Sequence, residues 1–383
     1  MSALGFGEGA RRLPIGQKLR QITWGLVLLI AATAGIGFAM LYSAANGSID
    51  PWAWRQMLRF GIGLVVMCVI ALIDIRIWLR YAYALYGVGL VLLIATEIMG
   101  VTGMGAQRWV DLWLIQIQPS EVMKIALVLA LARYFHGLTP EETRRPVMLV
   151  APALLVLTPA ALVLRQPDLG TALLLMVVGG TLFFLAGVRL WLFGAAIAAA
   201  VAAVPIGWQF LRAYQKERVF TFLNPERDPL GAGYHILQSK IALGSGGLFG
   251  KGFLAGTQSH LNFLPEKQTD FIFTMLAEEF GLIGAVGLIG LYALILIYGI
   301  AISLRATSQF GRLVAMGLTT TFFVYAFINI AMVTGLIPVV GVPLPLVSYG
   351  GTALMTLMIS FGILIGVYVH RDIPLPRRGA AGG

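Results

Sequence analysis

Charge is scarce in this sequence. Only 11% of its residues are Asp, Glu, Lys or Arg, whereas a soluble domain carries about 25%. With 58% of the chain hydrophobic, the shortage excludes an ordinary water-soluble enzyme. Cysteine is nearly absent: Cys68 stands alone inside an apolar run. A single thiol makes no intrachain disulfide, so a disulfide scaffold is excluded and the redox compartment is left unmarked. Cys68 reads as a small buried hydrophobe. Histidine is sparse as well. His136, His235, His260 and His370 show no HExxH or CxxC-type ligand spacing, which removes the motif-bearing metal enzymes. No resident metal or cofactor is expected, and dependence on a divalent cation stays open.

What the chain does have is a succession of long apolar runs, with a mean hydropathy of +0.86. Each is long enough to cross a ~30 Å hydrocarbon core as a helix. The runs are solid rather than alternating, which excludes a β-barrel. The predicted fold is an all-α polytopic membrane protein. Ten spans are expected, at about 23–43, 55–74, 78–99, 119–135, 147–164, 168–186, 189–208, 270–302, 312–335 and 347–369. They divide the chain into a cytoplasmic tail (1–22), seven spans (23–208), a long extracytoplasmic loop (209–269), three spans (270–369) and a second cytoplasmic tail (370–383). The first run is too long for a signal-peptide core and reads as a retained helix. The weakest divider is Arg165-Gln166-Pro167-Asp168, where the proline either separates two helices or kinks one.

The formal net charge of +10 suggests nucleic acid, but topology explains it better. Arg11, Arg12, Lys18 and Arg20 precede the first run. Arg76, Arg80, Arg133, Arg144, Arg145, Arg189, Arg305, Arg312, Arg371, Arg377 and Arg378 fall on the same side when both termini are cytoplasmic. The short outer segments and adjoining helix ends hold fewer: Arg55, Arg59, Arg108, Lys124 and Arg165. This is the positive-inside bias, and no nucleic-acid partner is expected. The loop 209–269 departs from it with Arg212, Lys216, Arg218, Arg227, Lys240, Lys251 and Lys267. Long loops escape the rule. One this long and basic is either a solvated connector or a binding element for an anionic partner.

Four strings could carry chemistry. In FLPEKQTDFIF (263–273), Asp270 sits where a polar loop becomes an apolar helix. A carboxylate there suits the positive end of a helix dipole. It could also act as a general base on the hydroxyl of a sugar whose lipid tail stays in the membrane. Glu278 and Glu279 follow about 12–13 Å further along the helix, and a structural role is expected of them. In QPSEVMK (118–124), Glu121 and Lys124 are spaced i,i+3 and share a helix face. Unpaired charges cost ~2.5–3.5 kcal/mol each at a membrane centre, so an ion pair is expected. Lys124, with Arg108 from the preceding outer loop, could also face a phosphate.

GSGGLFGKG (244–252) fails as a phosphate loop, because Ser245 stands at the first glycine position and Gly252 follows the lysine. It reads as a flexible loop whose amides could still meet a diphosphate. PLPLVSYGGT (343–352) is too rich in proline and glycine for a helix interior. Irregular backbone at membrane depth must be protein-buried or line a wet cavity, and Ser348 is a candidate contact there.

Taken together, GAQRWVDL (105–112), QPSEVMK (118–124), RQPDLGTA (165–172), GTQSHLNFLPEKQTDFIF (256–273), AEEFGLIG (277–284) and PVVGVPLPLVSYGG (338–351) resemble the SEDS family of polytopic cell-wall polymerases. The resemblance runs from the first span to the tenth. The short termini favour its rod-shape branch over its division branch. It implies a peptidoglycan glycosyltransferase acting on lipid II in the bacterial cytoplasmic membrane during cell elongation. It implies Asp270 as the catalytic base and Glu121 with Lys124 as the family's intramembrane pair. Arg108, Glu121, Lys124, Lys267 and Ser348 are then candidate substrate contacts. Gln268 stands where the family often has histidine, which argues against a catalytic role for that neighbouring position. The implied partners are a class B penicillin-binding protein transpeptidase, other elongation-complex proteins and membrane lipids. A lipid II flippase, or a non-catalytic scaffold of the elongation machinery, would use the same architecture without chemistry.

Overall fold

The computed structural model describes residues 14–103, 106–111, 116–166, 168–210, 216, 220–222, 232–261, 263–264 and 266–375. After a short helix α1 (Ile15–Gln21), long helices follow as α2 (Trp24–Ala44), α3 (Ala53–Leu72) and α4 (Ile75–Met99). A small antiparallel sheet, β1 (Val101–Gly103), β2 (Ala106–Asp111) and β3 (Gln116–Ile117), precedes α5 (Pro119–His136). A four-residue helix α6 (Pro140–Thr143) and a 3-10 turn lead to α7 (Val150–Arg165), α8 (Leu169–Leu185) and α9 (Leu190–Phe210). Then come α10 (Ala232–Ser245), the short α11 (Thr257–His260), α12 (Ile272–Arg305), α13 (Gln309–Val333) and α14 (Gly351–Val369).

Every predicted span coincides with one of these helices. Among the described residues, 7 segments are long and apolar enough to cross a membrane, α7 being counted with the turn before it as Pro146–Arg165. The apolar α8 has 17 residues, α9 contributes the apolar segment Leu190–Pro205, and α5 carries Glu121, Lys124 and Arg133 in its 18 residues. The Arg165–Asp168 divider separates two helices. The α7 helix stops at Gln166, and the Asp168 carboxylate caps α8 by accepting from Thr171 N at 3.1 Å. Among the described residues, the small sheet is the departure from a purely helical expectation.

The core is built around α5, α13 and α14. Along α5 nearly every position is buried, Glu121 and Lys124 included. The α14 helix packs on α3, α4 on α5, and α12 on α13. The peripheral helices turn residues such as Ile62, Val91 and Ile197 outward, as membrane helices do when one side meets lipid rather than protein. Small residues allow close approach at the centre. At Gly37 of α2, a Cβ would lie 2.7 Å from Val347 Cα, so the irregular stretch 338–350 rests directly on that helix.

The α12 helix has 34 residues, about 51 Å at helical rise and longer than a bilayer core requires. The excess is explained by burial. Residues 271–279 are all buried, and outward-facing positions begin at Phe280. The buried turns are covered by α10, which belongs to the long loop. Ser239 Oγ donates to Val333 O at 2.7 Å and lies 2.8 Å from Thr274 Oγ1. The helix breaks at Gly281 (φ 66°, ψ −163°), a conformation reserved for glycine.

Candidate active site

Asp270 lies in a turn running from Glu266 to Phe271, closed by Thr269 N donating to Glu266 O at 3.0 Å. The N-cap of α12 is Phe271, and it carries no side-chain cap bond. Asp270 therefore stands ahead of the helix rather than as its cap. Its Oδ2 faces Gly341, where a Cβ would come within 3.4 Å. The turn is pinned on one side by the 338–350 stretch and α13. Ser348 Oγ donates to Thr269 O at 2.5 Å, and Tyr349 N donates to Gln268 O at 2.9 Å. Asn329 Nδ2 donates to both Asp270 O (2.9 Å) and Val342 O (2.7 Å).

That stretch is held largely by side chains. Tyr292 Oη donates to Pro345 O at 2.7 Å, Gln56 Nε2 to Ser348 O at 3.0 Å, and Leu344 N to Ser348 Oγ at 2.7 Å. Leu346 sits at φ 65° while 2% exposed, a left-handed conformation that costs ~1–3 kcal/mol and persists only where surroundings enforce it. The stretch frames a cavity lined by Tyr325, Pro343, Leu344, Pro345, Leu346, Ser348, Gly350, Ala353, Leu354 and Leu357.

Tyr325 connects this cavity to the buried ion pair. Lys124 Nζ contacts Glu121 Oε1 at 2.5 Å. The Tyr325 hydroxyl donates to the same oxygen at 2.5 Å, and Lys124 Nζ sits 4.0 Å from the Tyr325 ring centroid. Asp168 is near enough for its charge to act on Lys124. Isolated charges at this depth would cost several kcal/mol each, and the pair, hydroxyl and ring offset part of that cost. Tyr325 and Asn329 are spaced i,i+4 on α13, about 6 Å apart along one face. One residue holds the ion pair and the other holds the backbone of Asp270. Both lie inside an apolar helix, and sequence reasoning missed them, along with Gln56 and Asp168.

The remaining predicted residues divide. Arg108 lies on β2, just ahead of α5, and its side chain falls outside the described residues. Lys267 Nζ is buried and donates to Ser259 O at 2.8 Å. Burial pushes its ammonium below the usual lysine range. Ser348 lines the cavity while its hydroxyl ties Leu344 to Thr269. Of the basic loop residues, Lys251 pairs with Glu278 at 2.8 Å, and Arg212, Arg218 and Arg227 lie outside the described residues.

The glycine-rich stretch is not a flexible loop. It docks into the break of α12. Lys251 N donates to Glu278 O (3.0 Å) and Gly252 N to Glu279 O (3.0 Å), while Leu282 N donates to Gly247 O (2.9 Å). The amides of Lys251 and Gly252 are thus already engaged. Glu278 and Glu279 are both buried and engaged by neighbouring groups. Glu278 accepts from Lys251 Nζ, Gln258 N and Ser259 Oγ, each at 2.8 Å. Glu279 accepts from Ser43 Oγ and lies 3.2 Å from His260 Nε2. Among the described residues, no group of three or more His, Cys, Asp or Glu side chains could hold a metal.

Comparison with known proteins gives a consistent result. The chain is 47% identical to the peptidoglycan glycosyltransferase MrdB of Escherichia coli (strain K12) over 350 residues, covering 91% of this chain and 94% of that protein. It is 38% identical to the MrdB of Helicobacter pylori (strain J99), covering 83% and 84%. Among solved structures, it is similar to a chain from a peptidoglycan synthase complex studied for its coordination of polymerization and crosslinking. The TM-score is 0.80 at 36% identity, covering 92% of this chain and 98% of that one. It is also similar to the rod shape determining protein RodA of Thermus thermophilus, with TM-score 0.69 at 31% identity, covering 92% and 98%. The family model FTSW_RODA_SPOVE, described as cell cycle protein, matches residues 21–373, and the chain belongs to that family.

Proposed function

We propose that this chain is a peptidoglycan glycosyltransferase of rod-shape growth, polymerising lipid II into β-1,4-linked glycan strands. Its relatives bear the name peptidoglycan glycosyltransferase over nearly their whole length. The acceptor GlcNAc 4-hydroxyl attacks C1 of the donor MurNAc. The C1–O bond to undecaprenyl diphosphate breaks as the new glycosidic bond forms, and the anomeric centre inverts. Asp270 takes the hydroxyl proton as general base. A diphosphate leaves without an acid, so one base suffices. Lys124, oriented by Glu121 and Tyr325, and Arg108 are the candidate groups for its charge. Ser348 frames the cavity beside the base, and lipid tails occupy grooves between helices. The observation that supports this reading is the Asn329 clamp on the Asp270 and Val342 carbonyls, one helical turn from Tyr325, which lines the cavity and donates to Glu121 of the buried pair.

The protein is a multi-pass protein of the bacterial cytoplasmic membrane. We place both termini in the cytoplasm and Asp270 at the outer face, a reading supported by the distribution of basic residues. The similar chain from a peptidoglycan synthase complex supports a crosslinking partner, which we identify as a class B penicillin-binding protein. Purified protein and labelled lipid II, with and without that partner, test the assignment. Asp270→Ala should reduce polymer at least ~100-fold, the scale of a lost general base, while its thermal melt stays close to that of the parent. Equal polymer from both proteins would sink it and leave flipping or scaffolding.

A further inference from the structure

Asp270 is held from two sides, and the second side is built from residues with no place in the chemistry described above. Glu278 is fully buried on α12 and collects Lys251 Nζ, Gln258 N, Ser259 N (3.2 Å) and Ser259 Oγ. Those amides belong to the opening turn of α11, where a carboxylate satisfies donors that have no partner within the helix. The same Ser259 presents its carbonyl to Lys267 Nζ at 2.8 Å. Lys267 stands inside the Glu266–Phe271 turn, three residues before Asp270. The path is continuous: Glu278, Ser259, Lys267, then the turn that carries the carboxylate. Glu266 at φ 48° gives the turn a strained residue that external contacts must hold.

We infer that Lys267 is a positioning residue for Asp270, acting from the loop side through Ser259 and the buried Glu278 carboxylate. The inference rests on Asp270 being the base. Its long side chain spans from the turn to the strap 256–261 and fixes the depth at which the turn presents the carboxylate. Asn329 and Ser348 fix the opposite edge. A lysine committed in this way has its ammonium turned into protein, with 6% of the residue exposed. Geometric control of this kind is worth one to two orders of magnitude, because about 1 Å of misplacement costs up to 100-fold in rate.

The test is steady-state polymerisation of labelled lipid II by the purified full chain with its transpeptidase partner, expressed per folded molecule from thermal melts. Lys267→Met should lower kcat about 10–100-fold and leave KM within about twofold. Lys267→Arg, which keeps a long cationic donor, should recover most of the loss. Glu278→Gln should lower kcat in the same direction, and the double variant should be no slower than the slower single one. If Lys267→Met does not fold, Lys267→Gln is read in the same way. An unchanged kcat, or a rise in KM alone, overturns the inference, and the second outcome would make Lys267 a substrate contact. Asp270→Asn in the same assay separates the two claims. If Asp270→Asn is inactive while Lys267→Met is normal, only the positioning role fails. If Asp270→Asn is fully active, the base assignment fails and the positioning role fails with it.

Discussion

Two stretches of non-helical backbone lie against long membrane helices here, and they satisfy their polar groups by opposite means. Residues 338–350 rely largely on side chains: Asn329, Tyr292 and Gln56 reach the carbonyls of Val342, Pro345 and Ser348, and the Ser348 hydroxyl accepts from Leu344 N. Residues 246–252 rely on backbone, pairing with the carbonyls and amides that α12 frees at Gly281. The first stretch also lines the cavity that contains Tyr325 and Ser348. Backbone pairing leaves no room: a Cβ on Gly281 would lie 2.4 Å from Gly250 N. In water-poor surroundings both solutions meet the demand that every backbone group be bonded. One of them makes a site and the other makes a joint.

The comparison can be broken most directly at the joint. Gly281→Val forces a β-branched residue into a conformation only glycine tolerates and against neighbouring backbone. The expected cost is about 3 kcal/mol or more, read as a large fall in melting temperature and folded yield in detergent. If the variant folds normally, the glycine segment is not locked into the helix break.

The next effect belongs to the cavity. Asn329→Leu leaves the carbonyls of Asp270 and Val342 without a donor, at ~1–3 kcal/mol for each unsatisfied group. Polymerisation should fall about tenfold or more, because the lost clamp sits on the base. The decisive measurement is activity per folded molecule. A loss of folded protein alone, with specific activity intact, would place Asn329 with the structural joint rather than the site.

The smallest effect lies between the two stretches, at Lys267. Its lowered pKa means the folded chain binds fewer protons than the unfolded one between that lowered value and the ordinary lysine value of about 10.4. Stability therefore rises with pH across that window and is lowest below it. Chemical denaturation at a series of alkaline pH values should show the slope in the parent and a flatter line in Lys267→Met. Equal slopes would mean that the Lys267 ammonium is no less favoured in the folded chain than in water.

Particular residues show how much was legible beforehand. The span 168–186 was the least clearly divided, since Pro167 could equally have kinked one helix, and the structure starts the helix directly after Asp168. Asp270 was readable because an acid at a loop-to-helix boundary is unusual in so apolar a chain. Its role as a cap was expected from the same position, yet the helix begins one residue too late for that. The Glu121–Lys124 pair was readable from its i,i+3 spacing, since a local pairing needs no tertiary information. Its third member was not, because Tyr325 is 204 residues away. Asn329 looks like one polar residue in an apolar helix until Asp270 and Val342 are brought beneath it. Gly281 looks like any glycine of a membrane helix until Gly250 is placed against it.

The sequence by itself determined that the chain enters a membrane, where its helices run, and which few acids and bases stand at depth. These follow from partitioning, which acts on each apolar run locally. Only the tertiary structure decided which irregular stretch opens into a cavity, which one seals a broken helix, and which neighbours aim Asp270. Those outcomes depend on what satisfies each backbone group once water is gone, and the partners come from helices far apart in the chain.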